Sequence, residues 1–349
     1  MKRWLLPEEG NFYKANLHLH TTLSDGDFTP ETVKRMYVER GYSILAFTDH
    51  DVFIPHNDFS DDSFLAVNAH ESEIGEFPDT PTRYMKTYHL NFYAKSADAK
   101  FSPVFSESRV HLGASPALVT DEMRKTDVEA HYSIDSINNL IRIANENGFF
   151  VTYNHPVWSL QNYPDYCGLE GLWGIEVFNT GCVVNDQLPD TTVPFDDLLR
   201  QGKSVFPICA DDSHEIKGCF GGWTMVKAPK LDYDSVISAL LAGNFYSSTG
   251  PEIRELWIED NNLHIRTSGD AKIVTVITDW RNEANRRFPL KQDGDECVAD
   301  FPIRRFGRKY REKNYPGWEN TYIRFEVEDG NGKKAYTRAF FIRDLPEMQ

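Results

Sequence analysis

The chain holds no apolar run near the roughly 20 residues that a membrane-spanning helix needs. Its opening stretch, Met1-Lys2-Arg3-Trp4-Leu5-Leu6-Pro7, is too short in apolar residues for a secretory leader. Cysteine is scarce: 5 thiols (Cys167, Cys182, Cys209, Cys219, Cys297) lie scattered, odd in number and without a C-x-x-C pair, which argues against a disulfide framework. The expectation is a reducing, cytoplasmic setting with no membrane attachment. Positive charge is in deficit as well. Lys and Arg number 37 against 53 Asp and Glu, a net −16, and this opposes extended nucleic acid, whose binding is driven by cationic side chains displacing counterions. A small anionic substrate stays compatible, because bound divalent cations reverse the local potential. G-x-S-x-G and G-x-x-x-x-G-K-[ST] are both missing, so neither a serine elbow nor a P-loop is available.

What is present is an ordinary globular composition, 40% hydrophobic and 13% aromatic, on a chain long enough for a large α/β unit and an accessory domain. Near its start lies Asn16-Leu17-His18-Leu19-His20-Thr21-Thr22-Leu23-Ser24-Asp25-Gly26. Residues two apart in an extended segment face the same way, so His18 and His20 project together while Leu17 and Leu19 pack. Ser24 and Gly26 mark a turn that swings the Asp25 carboxylate back over both imidazoles. Thr29 caps, and Pro30 begins, a helix that stops at Gly41; the apolar run Tyr42–Thr48 then delivers Asp49-His50-Asp51 to a strand end. A β-α-β unit of this length predicts parallel strands with chemistry gathered at their C-terminal ends.

The pattern repeats. Strands are expected at 64–69, ending in His70-Glu71-Ser72-Glu73; at 88–93, carrying His89; and at 149–153, presenting Asn154-His155-Pro156. Two more follow, 174–179 with only Glu176 or Asn179 to offer, and 204–210 ending in Asp211-Asp212-Ser213-His214. A helix over 134–147 sets Ile137, Leu140, Ile141 and Ala144 on one face. Weak periodicity over about 95–130 reads as an insertion, a candidate lid. From 250 the segments alternate with period two around turns such as Asp329-Gly330-Asn331-Gly332, and predict a separate antiparallel, β-sandwich-like domain over 250–349. The basic cluster Arg304–Lys313 reads as a solvated loop.

Together the strand ends supply His18, His20, Asp25, His50, Glu71, His89, His155, Asp212 and His214. Such nitrogen and carboxylate donors suit two or three divalent ions of the zinc, manganese or iron kind, and the lack of a cysteine ligand argues against a structural zinc site. Asp49, Asp51 and Asp211 stand next to ligands, where they would orient imidazoles through the second ring nitrogen or cap turns. Arg83, Lys86, Arg109 and Arg124, in or near the insertion, are the candidates for pairing with a phosphate.

His18-Leu19-His20-Thr21 with Ser24-Asp25-Gly26, Thr48-Asp49-His50-Asp51, Asn154-His155-Pro156 and Asp212-Ser213-His214 resemble, in order, the four motifs of the PHP family, named for polymerase and histidinol phosphatase. The resemblance covers residues 11 to 250, and the β-rich tail is similar to a C-terminal extension in a subgroup of that family. It implies an α/β fold with a distorted TIM-like (β/α)7 barrel over 1–249, a dinuclear or trinuclear metal site and phosphoester hydrolysis. Aligning Ala69 with the family's usual Gly selects Glu71 as ligand over Glu73, which faces the same side. The expected reaction is hydrolysis of a small phosphomonoester or phosphodiester, of the nucleotide or sugar phosphate class. A metal-activated water held by Asp25, His50, Glu71 and Asp212 would attack. Two other readings stay open. One is an amidohydrolase-type metal hydrolase acting on a non-phosphate ester or amide, which wants a bridging Lys that no strand end offers. The other is a metal-stabilised binding or regulatory protein without turnover.

Overall fold

The computed structural model describes residues 2–77, 85–279, 286–302, 317 and 320–345. Arg83 and the Arg304–Lys313 cluster lie outside the described residues. Two strands open the chain, β1 (Arg3–Trp4) and β2 (Asn11–Asn16). Helix α1 (Pro30–Val38) begins as expected: Thr29 Oγ1 accepts from the Thr32 N–H at 3.3 Å, and Pro30 occupies the first turn, where a missing N–H costs nothing. The apolar β3 (Ile44–Phe47) is buried along its whole length. β4 (Leu65–Gly75) runs further than its apolar stretch alone suggests and pairs antiparallel with β5 (Thr87–Ala94).

The insertion contains only a short helix, α2 (Ser115–Leu118), and two 3-10 turns. Next, α3 (Ile134–Glu146) buries Ile137, Leu140, Ile141 and Ala144, the face its periodicity predicts, against Phe149 and Val151 of β6 (Phe149–Tyr153). The short α4 (Tyr163–Tyr166), β7 (Gly174–Asn179), α5 (Val193–Arg200) and β8 (Phe206–Ala210) follow. Then come β9 (Trp223–Ala228), α6 (Tyr233–Ala242) and β10 (Phe245–Ser248).

Strands β2 to β8 pair in chain order. Every pairing is parallel except the two made by β5, which is antiparallel to both β4 and β6. The link from β4 to β5 is too short for a crossover helix, so the chain returns antiparallel, and His89 enters near the start of its strand rather than its end. The two ends of the run meet. Leu19, beyond β2, forms a parallel bridge with Ser213, beyond β8; the Asp212 N–H donates to His18 O at 2.8 Å and the His20 N–H to Ser213 O at 3.1 Å.

The remaining strands are antiparallel throughout: β11 (Ile253–Glu259), β12 (Asn262–Ser268), β13 (Ala271–Thr278), β14 (Arg286–Pro289), β15 (Lys291–Asp293), β16 (Glu296–Pro302), β17 (Tyr322–Asp329), β18 (Lys334–Thr337) and β19 (Phe340–Phe341). One sheet runs β1-β11-β12-β16-β15; β14, β13, β17 and β18 continue through β10 and β9 into β2. Leu256, Ile265, Val274, Val276 and Phe325 share one core between them. Backbone hydrogen bonds therefore tie the tail to the earlier chain at two places, β10 to β18 and β1 to β11. Among the described residues no helix is long and apolar enough to cross a membrane.

Candidate metal centre

Residues 17–20 stay extended past β2. Leu17 and Leu19 are buried in the core, and His18 and His20 turn to the same side with their Nε2 atoms 3.2 Å apart. Glu71 arrives from β4 between them. Its Oε2 lies 3.2 Å from His18 Nε2, 3.3 Å from His20 Nε2 and 3.4 Å from His50 Nδ1, while Oε1 is 3.1 Å from His89 Nδ1 and 3.5 Å from His155 Nε2. Asp212 Oδ1 faces His20 Nε2 at 3.1 Å and His18 Nε2 at 3.3 Å, with Oδ2 3.6 Å from His155 Nε2. On the outer side Asp25 spans His214 at 3.3 Å, His20 at 3.6 Å and His50 at 3.8 Å. Glu73 stands further out, its Oε1 3.8 Å from His89 Nε2.

Every expected ligand is thus brought together, in four overlapping groups whose donor atoms could each surround one ion: His20–Asp25–His50–His214, His18–His20–Glu71–Asp212, His50–Glu71–His89 and His18–His155–Glu176. Buried polar atoms in native folds nearly always hold a hydrogen bond. Here His50 Nδ1, both ring nitrogens of His89, His155 Nε2 and Asp212 Oδ1 hold none. Unpartnered imidazole nitrogens and a carboxylate oxygen aimed at one volume are what borderline divalent cations require, so the residues fit the implied metals.

Electrostatics reinforce the point. Burial lowers the His20 pKa, but the facing carboxylates of Asp212, Glu71 and Asp25 outweigh it and raise the value to about 10. Burial and the neighbouring His20 lower His50 to about 3. Desolvation opposes ionisation of Glu71 and Asp212, yet the facing His18 holds both well below the usual carboxylate range. The carboxylates are therefore ionised, and protons compete with a metal for the imidazoles.

Sequence reasoning named Glu176 at its strand end but gave it no role. Glu176 Oε1 lies 2.6 Å from His18 Nδ1, and Oε2 accepts from the His155 N–H at 3.1 Å and from Asn179 Nδ2 at 3.0 Å. The available signal was a carboxylate inside a strand that is buried at all positions. Glu176 orients His18, one of the two roles expected of Asp49, Asp51 and Asp211; Asp49 and Asp211 take the other, capping turns, and Asp51 bonds Arg109. Asp49 Oδ1 accepts from the N–H groups of Thr21 (2.8 Å) and Ser24 (3.1 Å), pinning the turn that carries Asp25. Asp211 accepts from Tyr37 OH (2.8 Å), Asn16 Nδ2 (3.0 Å) and the Phe220, Gly221 and Gly222 N–H groups at 2.8, 2.9 and 3.0 Å. Asp51, His155 and Asp212 have φ of 56°, 23° and 52°, a region non-glycine residues rarely enter, and all three lie at ligand-bearing strand ends.

Of the cations expected to bind phosphate, Arg109, Lys86 and Arg124 are engaged by protein groups. Arg109 spends its guanidinium on Asp51 Oδ1 (3.2 Å), Val128 O (3.1 Å) and Val104 O. Lys86 pairs with Asp165 at 2.7 Å, and Arg124 with Glu107 and Asp121 at 3.0 Å. The physical reason is that the insertion has little apolar periodicity, so ion pairs and carbonyl contacts take the place of a packed face. The insertion does reach the centre: Gly113, at φ 52°, lies so close to the Ser24 carbonyl that a Cβ would collide with it.

No family model and no curated protein matches the chain. Among solved structures it is similar to a two-domain protein from Bacteroides vulgatus described as containing a predicted PHP-like metal-dependent phosphoesterase, with 15% identity, 97% of this chain and 98% of that one covered, and a TM-score of 0.43. An amidohydrolase from Chromobacterium violaceum, with bound sulfate and no metal, is 14% identical over 66% of this chain and 96% of its own, at TM-score 0.37. A lesion-specific endonuclease from Pyrococcus furiosus is 11% identical over 66% and 56%, at TM-score 0.38.

Proposed function

We propose that the chain is a metal-dependent hydrolase of small phosphomonoesters or phosphodiesters, of the nucleotide or sugar phosphate class. The observation that carries this is the convergence of buried, unpartnered atoms of His50, His89, His155 and Asp212 around the Glu71 carboxylate. On this reading β2–β8 form a distorted seven-stranded barrel closed at Leu19–Ser213, residues 1–249 carry the site, and 250–349 are an accessory β unit.

His18, His20, Asp25, His50, Glu71, His89, His155, Asp212 and His214 would hold two or three divalent ions, with Glu176 as a further donor. Ions bound there bring the pKa of a coordinated water towards neutrality and neutralise charge on the phosphoryl oxygens. The side chains do the positioning. Glu176 fixes His18 through Nδ1 and so leaves Nε2 facing the centre. Asn154 Nδ2 donates to Glu71 Oε1 at 2.7 Å and holds that carboxylate between its flanking imidazoles. No protein nucleophile is called upon: burial pushes the Cys182 and Cys209 thiols up, which keeps them protonated. Asp25 and His214 are about a third exposed at their side chains while His18, His20 and Glu71 are buried, so substrate approaches from the Asp25–His214 side.

Metal-loaded protein offered nucleotides, sugar phosphates and small phosphodiesters, beside carboxylic esters and amides, tests the reading. Phosphate release is expected. Turnover confined to esters or amides would overturn it.

A further inference from the structure

Beside His155 and Glu176 the centre opens into a pocket whose other walls are mainly apolar. Val157, Trp158, Phe178, Val183 and Leu188 are among its lining residues. Trp158 meets the rings of His89 and His155 edge to face, with centroids 5.4 and 5.2 Å apart, so the aromatic wall abuts two candidate ligands directly. Val183 belongs to an isolated π-turn, Gly181–Asn185, a geometry concentrated at functional sites. That turn is tied to the centre: Asn179 Oδ1 accepts from the Cys182 N–H at 3.0 Å, and Asn179 Nδ2 donates to Asp212 Oδ2 at 3.0 Å. The charged members of the wall are Glu176 and Asp190, and among the described residues neither Lys nor Arg lines it.

Resting on the phosphoesterase reading but departing from its nucleotide or sugar phosphate class, whose alcohol portions are polar, we infer that this pocket takes the alcohol portion of the ester, and that this portion is apolar and carries no second negative charge. An apolar group there leaves water for Trp158, Phe178 and Val183, whereas a second phosphate would face two carboxylates with no cation to match it. In the reaction water supplies the oxygen of the new P–O bond, the P–O bond to the alcohol breaks, and the proton released by the water ends on the departing alcohol. Phosphate and a neutral apolar alcohol are the products.

Ethyl phosphate and 2-phenylethyl phosphate have leaving alcohols of similar acidity, so the ratio of their kcat/KM values reads the pocket rather than the bond cleaved. The phenylethyl ester is expected to be preferred by about tenfold or more. That preference should fall towards one in Val183→Glu and in Leu188→Glu, each checked by circular dichroism and metal content. A ratio near one in the unaltered protein overturns the pocket assignment while leaving the hydrolase reading standing, as does release restricted to bisphosphates. No phosphate from any ester overturns both. Independently of turnover, 2-phenylethanol is expected to shift the methyl NMR signals of Val183 and Leu188 in the metal-loaded protein; unmoved signals at saturating alcohol overturn the assignment.

Discussion

Arg324, on β17, is buried among Asp196, Glu326 and Thr192, and its contacts are well-formed hydrogen bonds. Nε and Nη2 grip Asp196 at 2.8 and 2.6 Å, Nη1 donates to Glu326 at 2.7 Å, and Nη2 also reaches Thr192 Oγ1 at 3.0 Å. Around Glu71 the same chemical types lie together just as deeply, yet several of their atoms have no hydrogen bond. The first cluster is complete and locks α5 to β17. The second keeps open valence that a bound cation could fill. Burial and charge are common to both, so what distinguishes a functional cluster from a structural one is its unsatisfied valence.

The contrast can be broken by swapping the consequences of mutation. Arg324→Met should lower the unfolding free energy of metal-free protein in urea by about 3–5 kcal/mol, because it strands Asp196 and Glu326. A loss under about 1 kcal/mol would show that the cluster is not what holds α5. Glu71→Gln should do the reverse, leaving the unfolding free energy of metal-free protein in urea within about 1 kcal/mol of the parent while cutting kcat/KM more than about 100-fold, beyond what losing an outer partner costs. Glu176→Gln sits between these. Elemental analysis and competitive chelation should show metal affinity weakened about 10–100-fold with the fold kept, and an unchanged affinity would reduce Glu176 to a packing group.

The smallest effect is a pH dependence away from both clusters. Burial raises Asp279 from 3.8 to about 6, and its Oδ1 is unpartnered. The fold therefore favours the neutral acid, so its contribution is lost as pH rises through about 6 and is fully present below about 4. Asp279→Asn should be neutral at pH 4 and more stable than the parent by about 1 kcal/mol at pH 7, the figure being reduced for partial exposure. Equal stability differences at both pH values would remove Asp279 as a titrating liability.

Members of the candidate metal cluster were legible wherever a local rule carried them. His18 and His20 follow from period two with buried leucines between, His50 from the apolar run before it, and Asp212 and His214 from their two-residue spacing. Elements with one dominant pattern, such as α3 and β6, appear within a residue or so of their expected bounds. The reversal of β5 was not legible, because His89 looks the same in a strand of either direction. The partners of Arg109, a candidate for pairing with phosphate, were not legible either: in an irregular segment no pattern announces that Asp51 and the carbonyls of Val104 and Val128 fold around it. Glu176 was visible in the sequence, but only the partner at the other end of its hydrogen bond gives it a role.

β10 is flanked by β9 on one side and β18 on the other, and Arg3–Trp4 is a rung on β11. A chain cut at 249 would leave the outer edge of β10 as an open row of backbone donors and acceptors at Tyr246–Ser248. Such a row recruits strands from other molecules. By covering that row the tail would guard against self-association, and clumping is the expected first consequence of truncation.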